Sequence, residues 1–268
     1  MQHTKIGIAG FGAIGQSLAQ QILQGIDGIE LAAVGVRNPD NPPEFDWQGK
    51  PVPHFATLDQ LEPHCDIVIE CAPAKLLPTI ATPFLKAGKK VITLSSSALL
   101  LQPELIELAR KHHGQILVPS GAILGLDALL ATAEGTIKSV KMVSRKPPKG
   151  FMGAPYVERN NIDLSDLQAP KRLYAGAARE VALGFPANLN VAVSVSLAGI
   201  GPDNTSLEVW ADPTIAHNTH TVEVVSDTAL LTMTIQNVPS NNPKTGRVTA
   251  NSVIAMLRKI HAPLSVGT

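Results

Sequence analysis

The sequence predicts an α/β chain, with a doubly wound parallel sheet followed by a second α/β domain whose sheet is largely antiparallel. Three observations predict it. Apolar, β-rich runs alternate with helix-like segments up to Val118. A glycine cluster, Gly10-Phe11-Gly12-Ala13-Ile14-Gly15, separates the first such run from the first helix. Beyond Pro119-Ser120-Gly121 the texture changes to runs in which polar and apolar residues alternate, as in a sheet with one packed and one wet face.

Taken in order, Lys5–Ala9 reads as a strand, Gly15–Gln24 as a helix and Glu30–Val36 as a second strand. A proline-rich loop covers Asn38–Pro53. Cys65–Cys71 is a strand, Leu76–Ala87 a helix, Lys90–Leu94 a strand, Pro103–His112 a helix and Gln115–Val118 a strand. In the second region Ser139–Ser144, Ser206–Ala211, Thr219–Val225 and Ala229–Ile235 read as strands. Helices are expected at Gly125–Glu134, Ala177–Phe185, Asn188–Ala198 and Gly246–Ile260. This gives a first domain over 1–118, with the C-terminal helix (241–268) packing back on it, and a second over 119–240.

The 268 residues are enough for two cores. Twenty-two basic and 22 acidic residues cancel, which argues against the basic face that a nucleic-acid partner demands. No apolar run is long enough to cross a bilayer. Ile6–Gly15 follows Lys5 and superficially resembles a signal sequence, but its glycines interrupt any helix and no cleavage pattern follows. A cytoplasmic enzyme is expected. Cys65 and Cys71 are too few for a disulfide scaffold and lack metal-spaced partners, so they read as reduced packing residues.

A strand–glycine turn–helix unit is the fingerprint of a Rossmann dinucleotide site. Gly10 permits the tight turn, Gly12 lets backbone approach a pyrophosphate, and Gly15 lets the helix lie close to the strand. The backbone of Ala13 and Ile14 opens the helix whose free N–H groups attract phosphate. A carboxylate at the end of the second strand would bind ribose hydroxyls, yet Val36-Arg37-Asn38 offers none. Arg37 suits a 2′-phosphate, so NAD or NADP is expected, with a lean to NADP. Ala72, in Glu70-Cys71-Ala72-Pro73, sits at the strand edge where cofactors bind. Ser95-Ser96-Ser97-Ala98 ends another strand, leaving room for a nicotinamide ribose.

Hydride removal from an amine or alcohol carbon needs a base, and histidine suits by its pKa. His3, His112, His113 and His261 lie near termini or polar helix ends, and His54 and His64 in loops, which leaves His217 and His220. Substrate carboxylates need cations. Lys244, followed by Thr245 in a helix-capping place, is one candidate. Arg145 and Lys146 are others, but read as a solvated charge pair.

Several segments in order along nearly the whole chain resemble the L-aspartate dehydrogenase family. They are Ser120-Gly121-Ala122-Ile123 with Gly125-Leu126-Asp127-Ala128-Leu129, then Asn188-Leu189-Asn190-Val191-Ala192, and Leu197-Ala198-Gly199-Ile200-Gly201. Ala211-Asp212-Pro213, Asn218-Thr219-His220 and Asn242-Pro243-Lys244-Thr245 continue the series. The resemblance implies that His220 is the active-site histidine, that Ala122 and Asn190 contact the cofactor, and that the substrate is L-aspartate. It further implies a product feeding pyridine nucleotide biosynthesis. A homodimer is expected by analogy. Two rivals remain: a Rossmann oxidoreductase acting on a sugar or semialdehyde, and a non-catalytic dinucleotide sensor. Ser96-Ser97-Ala98 stands where the sugar enzymes carry a Lys-Pro pair, and no DNA-binding segment is visible.

Overall fold

The computed structural model describes residues 3–185, 190–238 and 248–267. The chain divides into two compact units, Met1–Gly121 with Ala250–Ser265, and Ala122–Thr249 with Val266–Thr268.

The first unit runs β1 (Thr4–Ala9), α1 (Ala13–Leu23), β2 (Ile29–Gly35), β3 (His54–Ala56), β4 (Ile67–Glu70), α2 (Leu77–Lys86), β5 (Lys90–Thr93), α3 (Ser96–Leu101), α4 (Glu104–His112) and β6 (Gln115–Leu117). Its six strands form one sheet in the order β3-β2-β1-β4-β5-β6. Every neighbouring pair is parallel. Strands covered on both faces must be apolar on both, which is why their central residues, such as Ile6–Ala9 in β1 and Ile67–Ile69 in β4, are consecutive apolar or small residues. Ile6, Ile8, Ile67, Ile69 and Ile92 meet Leu18 and Ile22 of α1 on one face. The intervening Ala9, Ala33, Val68 and Val91 meet Ile80 and Phe84 of α2 and Leu105 of α4 on the other.

Two elements here escape sequence reading. β3 has only three residues, at the end of the proline-rich loop, and pairs with β2 at the sheet edge. α3 begins inside the serine run that reads as a loop.

The second unit holds α5 (Leu126–Ala133), β7 (Ile137–Lys146), α6 (Pro155–Arg159), β8 (Lys171–Ala177), α7 (Ala178–Gly184), α8 (Asn190–Ala198), β9 (Thr205–Ala211), β10 (Asn218–Ser226) and β11 (Leu230–Asn237). The strand order is β11-β10-β7-β9-β8. Only β7 and β9 run parallel, so the sheet is mixed and mainly antiparallel. Val140, Met142, Leu207, Val209, Val222 and Val224 form its inner face, against which α5 and α8 pack. The outer face is polar. Lys141 pairs with Glu208 at 3.1 Å, and the Arg145 guanidinium lies 4.7 Å from the Trp210 ring centre. β8 begins on charges and ends on small residues, Lys171-Arg172 to Gly176-Ala177, and so carries little strand signal.

The last helix, α9 (Val248–His261), belongs to the first unit from Ala250 onward. Ala250, Val253, Ile254 and Leu257 join the same core as Ile6 and Leu18. At its end His261 Nε2 lies 2.8 Å from Thr4 Oγ1. Leu257 is fully buried. Leu257→Ala should therefore cost about 2–5 kcal/mol, read as a lower urea midpoint of the first unit. A midpoint unchanged within error would show that α9 contributes little to that core.

Among the described residues no helix is long and apolar enough to cross a membrane.

Candidate active site

The turn after β1 is shaped by three glycines under different constraints. Gly10 has φ +100°, and its N–H donates to the Gly35 carbonyl at 2.9 Å, tying the ends of β1 and β2. A Cβ on Gly10 would stand 2.9 Å from Ala72 N and from Cys71 C, so only glycine lets the two strand ends meet. Gly15 is closer still, 2.2 Å from the Gly10 carbonyl oxygen by the same construction. Gly12 has open space around the missing Cβ. It is the N-cap of α1, which has no side-chain cap and no acid in its first turn. The Ala13–Gly15 end of the helix thus presents backbone N–H groups beside open space at Gly12, a fit for a pyrophosphate. Ala72 is brought to this turn, and Arg37 is exposed just past β2.

Glu70, at the end of β4, braces a neighbouring turn, a role that sequence reading did not assign to it. It is fully buried. Its carboxylate accepts bonds from the Thr93 hydroxyl (2.9 Å), the Leu94 and Ser95 amides (3.2 and 3.0 Å) and the Ser95 hydroxyl (3.1 Å). These bonds fix the turn after β5. The serines are therefore not open at a strand end: Ser95 is tied to Glu70, and Ser96 and Ser97 are buried in α3. A lone acid closing an apolar strand was the available signal.

Burial pushes the Glu70 carboxyl above its ordinary value of 4.5, outweighing the bonds from Thr93 and Ser95 that favour the charged form. The folded state then binds this proton better than the unfolded chain does. Stability should fall as pH rises from 4.5 upward, and Glu70→Gln should flatten that slope, measured by urea unfolding across the range. Glu70→Ala would remove the acceptor of the Leu94 amide and one of the two acceptors of the Ser95 amide, and should cost about 2 kcal/mol or more. A Gln variant as damaged as the Ala variant would contradict this account.

In the second unit His220 is 2% exposed, on the inner face of β10. It pairs with Ser144 across β7, and its Nδ1 lies 3.1 Å from the buried Ser144 hydroxyl. Burial, then the nearby Lys146 charge, push the imidazole down to about 3, so it is neutral at physiological pH. A neutral ring mounted on a central strand has a free lone pair and little freedom to turn. His217 is half-buried in the loop before β10.

The reading of Arg145 and Lys146 as a solvated pair is wrong. Arg145 is engaged on the outer face, 3.4 Å from the Asp212 carboxylate and stacked on Trp210. Lys146 is 4% exposed on the inner face. Ala122 is half-buried, and its carbonyl accepts from Asn237 Nδ2 at 2.9 Å. Asn190 opens α8. Lys244 and Thr245 lie outside the described residues.

A six-stranded parallel sheet with this glycine turn, on a chain that also mounts a buried imidazole on a second sheet, defines a nicotinamide-dependent oxidoreductase. Residues 10–119 match the family model described as homoserine dehydrogenase, NAD binding domain, and residues 127–260 match aspartate dehydrogenase, C-terminal. L-aspartate dehydrogenase 3 of Bordetella bronchiseptica is 59% identical, over 98% of this chain and 97% of that protein. L-aspartate dehydrogenase of Bradyrhizobium diazoefficiens is 50% identical, over 98% and 94%. Among solved structures, aspartate dehydrogenase from Thermotoga maritima superposes with TM-score 0.75 at 25% identity, over 99% of this chain and 100% of that one. The chain belongs to the L-aspartate dehydrogenase family.

Proposed function

We propose that this chain catalyses the reversible, NAD(P)-dependent oxidative deamination of L-aspartate to oxaloacetate and ammonia. One observation carries the reading: a chain similar to L-aspartate dehydrogenases along nearly its whole length holds a neutral, strand-mounted imidazole at His220. When bound, a nicotinamide dinucleotide supplies the acceptor for the hydride that leaves Cα. Gly10, Gly12, Ala13, Ile14 and Gly15 would hold its pyrophosphate, with Ala72 beside the turn. Arg37 would accept a 2′-phosphate. Ala122 and Asn190 come to the cofactor through the family resemblance. Lys244 and Thr245 remain candidates for substrate contact.

His220 acts as the base. It takes a proton released by the amino group as the C=N bond forms, or one released by the water that hydrolyses the imine. Ser144 fixes the ring through Nδ1 and leaves Nε2 for this task. The enzyme would work in the cytoplasm as a homodimer. Its two cysteines are free, in keeping with a reducing compartment.

The test is absorbance at 340 nm with L-aspartate and each oxidised cofactor, with L-glutamate and L-malate as controls. Cofactor reduction with L-aspartate is expected. Reduction with malate and none with aspartate would overturn the substrate.

A further inference from the structure

The inner face of the second unit's sheet is apolar for most of its length and polar at one end. On β7, Val140 and Met142 are followed on that face by Ser144 and Lys146. On β10, Val224 and Val222 give way to His220, and β11 ends on the buried Asn237. His220 stands opposite Ser144 and Ile235, and Asn218 opposite Asn237. The same β10–β7 register pairs Thr219 with Arg145, which carries Asn218 toward Lys146. Lys146, His220 and Asn237 therefore fall within two neighbouring cross-strand rows, a spacing that long side chains bridge.

Two of these side chains are out of place in a core. Lys146 is the only buried lysine or arginine among the described residues. Asn237, 4% exposed, spends its Nδ2 on the Ala122 carbonyl, and its Oδ1 is buried with no hydrogen-bond partner among the described residues. Apolar side chains would fill both places at lower cost. A buried cation and a bare acceptor on one face are the complement of an amino acid, which brings an anion and N–H donors.

We propose that Lys146 and Asn237 hold the substrate at the His220 site, the Lys146 ammonium pairing with one carboxylate and Asn237 Oδ1 accepting an N–H of the α-amino group. The assignment rests on the reaction proposed above and names the groups that give it an amino-acid substrate. Arg145, the neighbouring cation, faces the outer side of the sheet, 3.4 Å from Asp212. Burial pushes Lys146 down to about 8, so it keeps its proton near neutral pH and suits an anion better than it suits a base's role. Its charge also helps hold the His220 imidazole down. A carboxylate on Lys146 would offset that repulsion, so substrate binding would itself make His220 a stronger base.

The experiment is calorimetric titration of the whole enzyme with reduced cofactor bound, a state without turnover, using L-aspartate and succinate as ligands. Lys146→Met should weaken both ligands by about 50-fold or more, with cofactor affinity within about twofold of wild type, and Lys146→Arg should recover part of the loss. Asn237→Ala should weaken L-aspartate by about tenfold and succinate hardly at all, because succinate has no amino group. A thermal melt of Lys146→Met within a few degrees of wild type establishes that the variant is folded before its affinities are compared.

Unchanged L-aspartate affinity in Lys146→Met would overturn the carboxylate contact. So would unchanged KM with a lost acid limb in kcat, which would make Lys146 a proton acceptor. Equal loss of both ligands in Asn237→Ala would reduce Asn237 to a tether for Ala122. Wild-type enzyme that binds both ligands through Lys146 yet reduces no cofactor with L-aspartate would remove the reaction and leave this site standing.

Discussion

His220→Ala should lower turnover with L-aspartate by about two orders of magnitude or more, the usual scale for a lost acid–base group, while cofactor affinity stays within about twofold. The side chain is enclosed and its Nδ1 is engaged by Ser144, so neither solvent nor a neighbouring rotamer readily replaces it. Steady-state rates at 340 nm give the answer, and turnover within threefold of wild type would end its role as base. The same variant should change acid stability. The unfolded chain takes up a proton near the imidazole's ordinary 6.5, whereas the folded chain resists until about 3. Stability is therefore complete above 6.5 and is lost as pH falls toward about 3, and His220→Ala should lose less over that window.

Gly15→Val should abolish measurable cofactor binding and lower the melting temperature by several degrees. The first added carbon would sit 2.2 Å from the Gly10 carbonyl oxygen and 3.3 Å from the Ile8 methyl, and the nearer atom is backbone with nowhere to go. Helix α1 must then lift from β1, at a cost of about 3 kcal/mol before any loss of phosphate contact. Gly12→Ala is the informative contrast. Its methyl enters open space, so stability should hold while cofactor affinity falls. Calorimetry with NAD and NADP on both variants separates the two effects. Equal stability loss in both would mean that the turn is not built as described.

Sequence reading recovered elements whose burial is dictated by a single period. The central residues of β1, β4 and β5 (Ile6–Ala9, Ile67–Ile69 and Val91–Ile92) are apolar or small because both faces are covered, and glycines mark the start of α1. It failed where the signal was short or divided. β3 contributes three residues, and β8 is an edge strand that mixes charge with small residues. The instructive miss is Lys146. A strand that ends at Ser144 puts the lysine in a loop, yet the alternation Val140, Met142, Ser144 continues inward to Lys146 for one more step. A charged residue on the inward phase of an apolar strand is a better pointer to a site than its polarity suggests. Asn237 closes β11 in the same way. Their convergence on His220 depends on the strand order β11-β10-β7, and pairing between distant segments cannot be read from any local stretch.

That α9 completes the first unit's core has a consequence for synthesis. Apart from the last three residues, the second unit is one stretch, Ala122 to Thr249, whereas the nucleotide-binding unit needs residues on both sides of that stretch. On the ribosome the later unit has all but its last three residues available first, while the core that holds Ile6, Ile8 and Leu18 stays incomplete until Leu257 emerges. Premature termination before Leu257 would leave that apolar core short of its last side chains, making the translated fragment a substrate for chaperones and proteases.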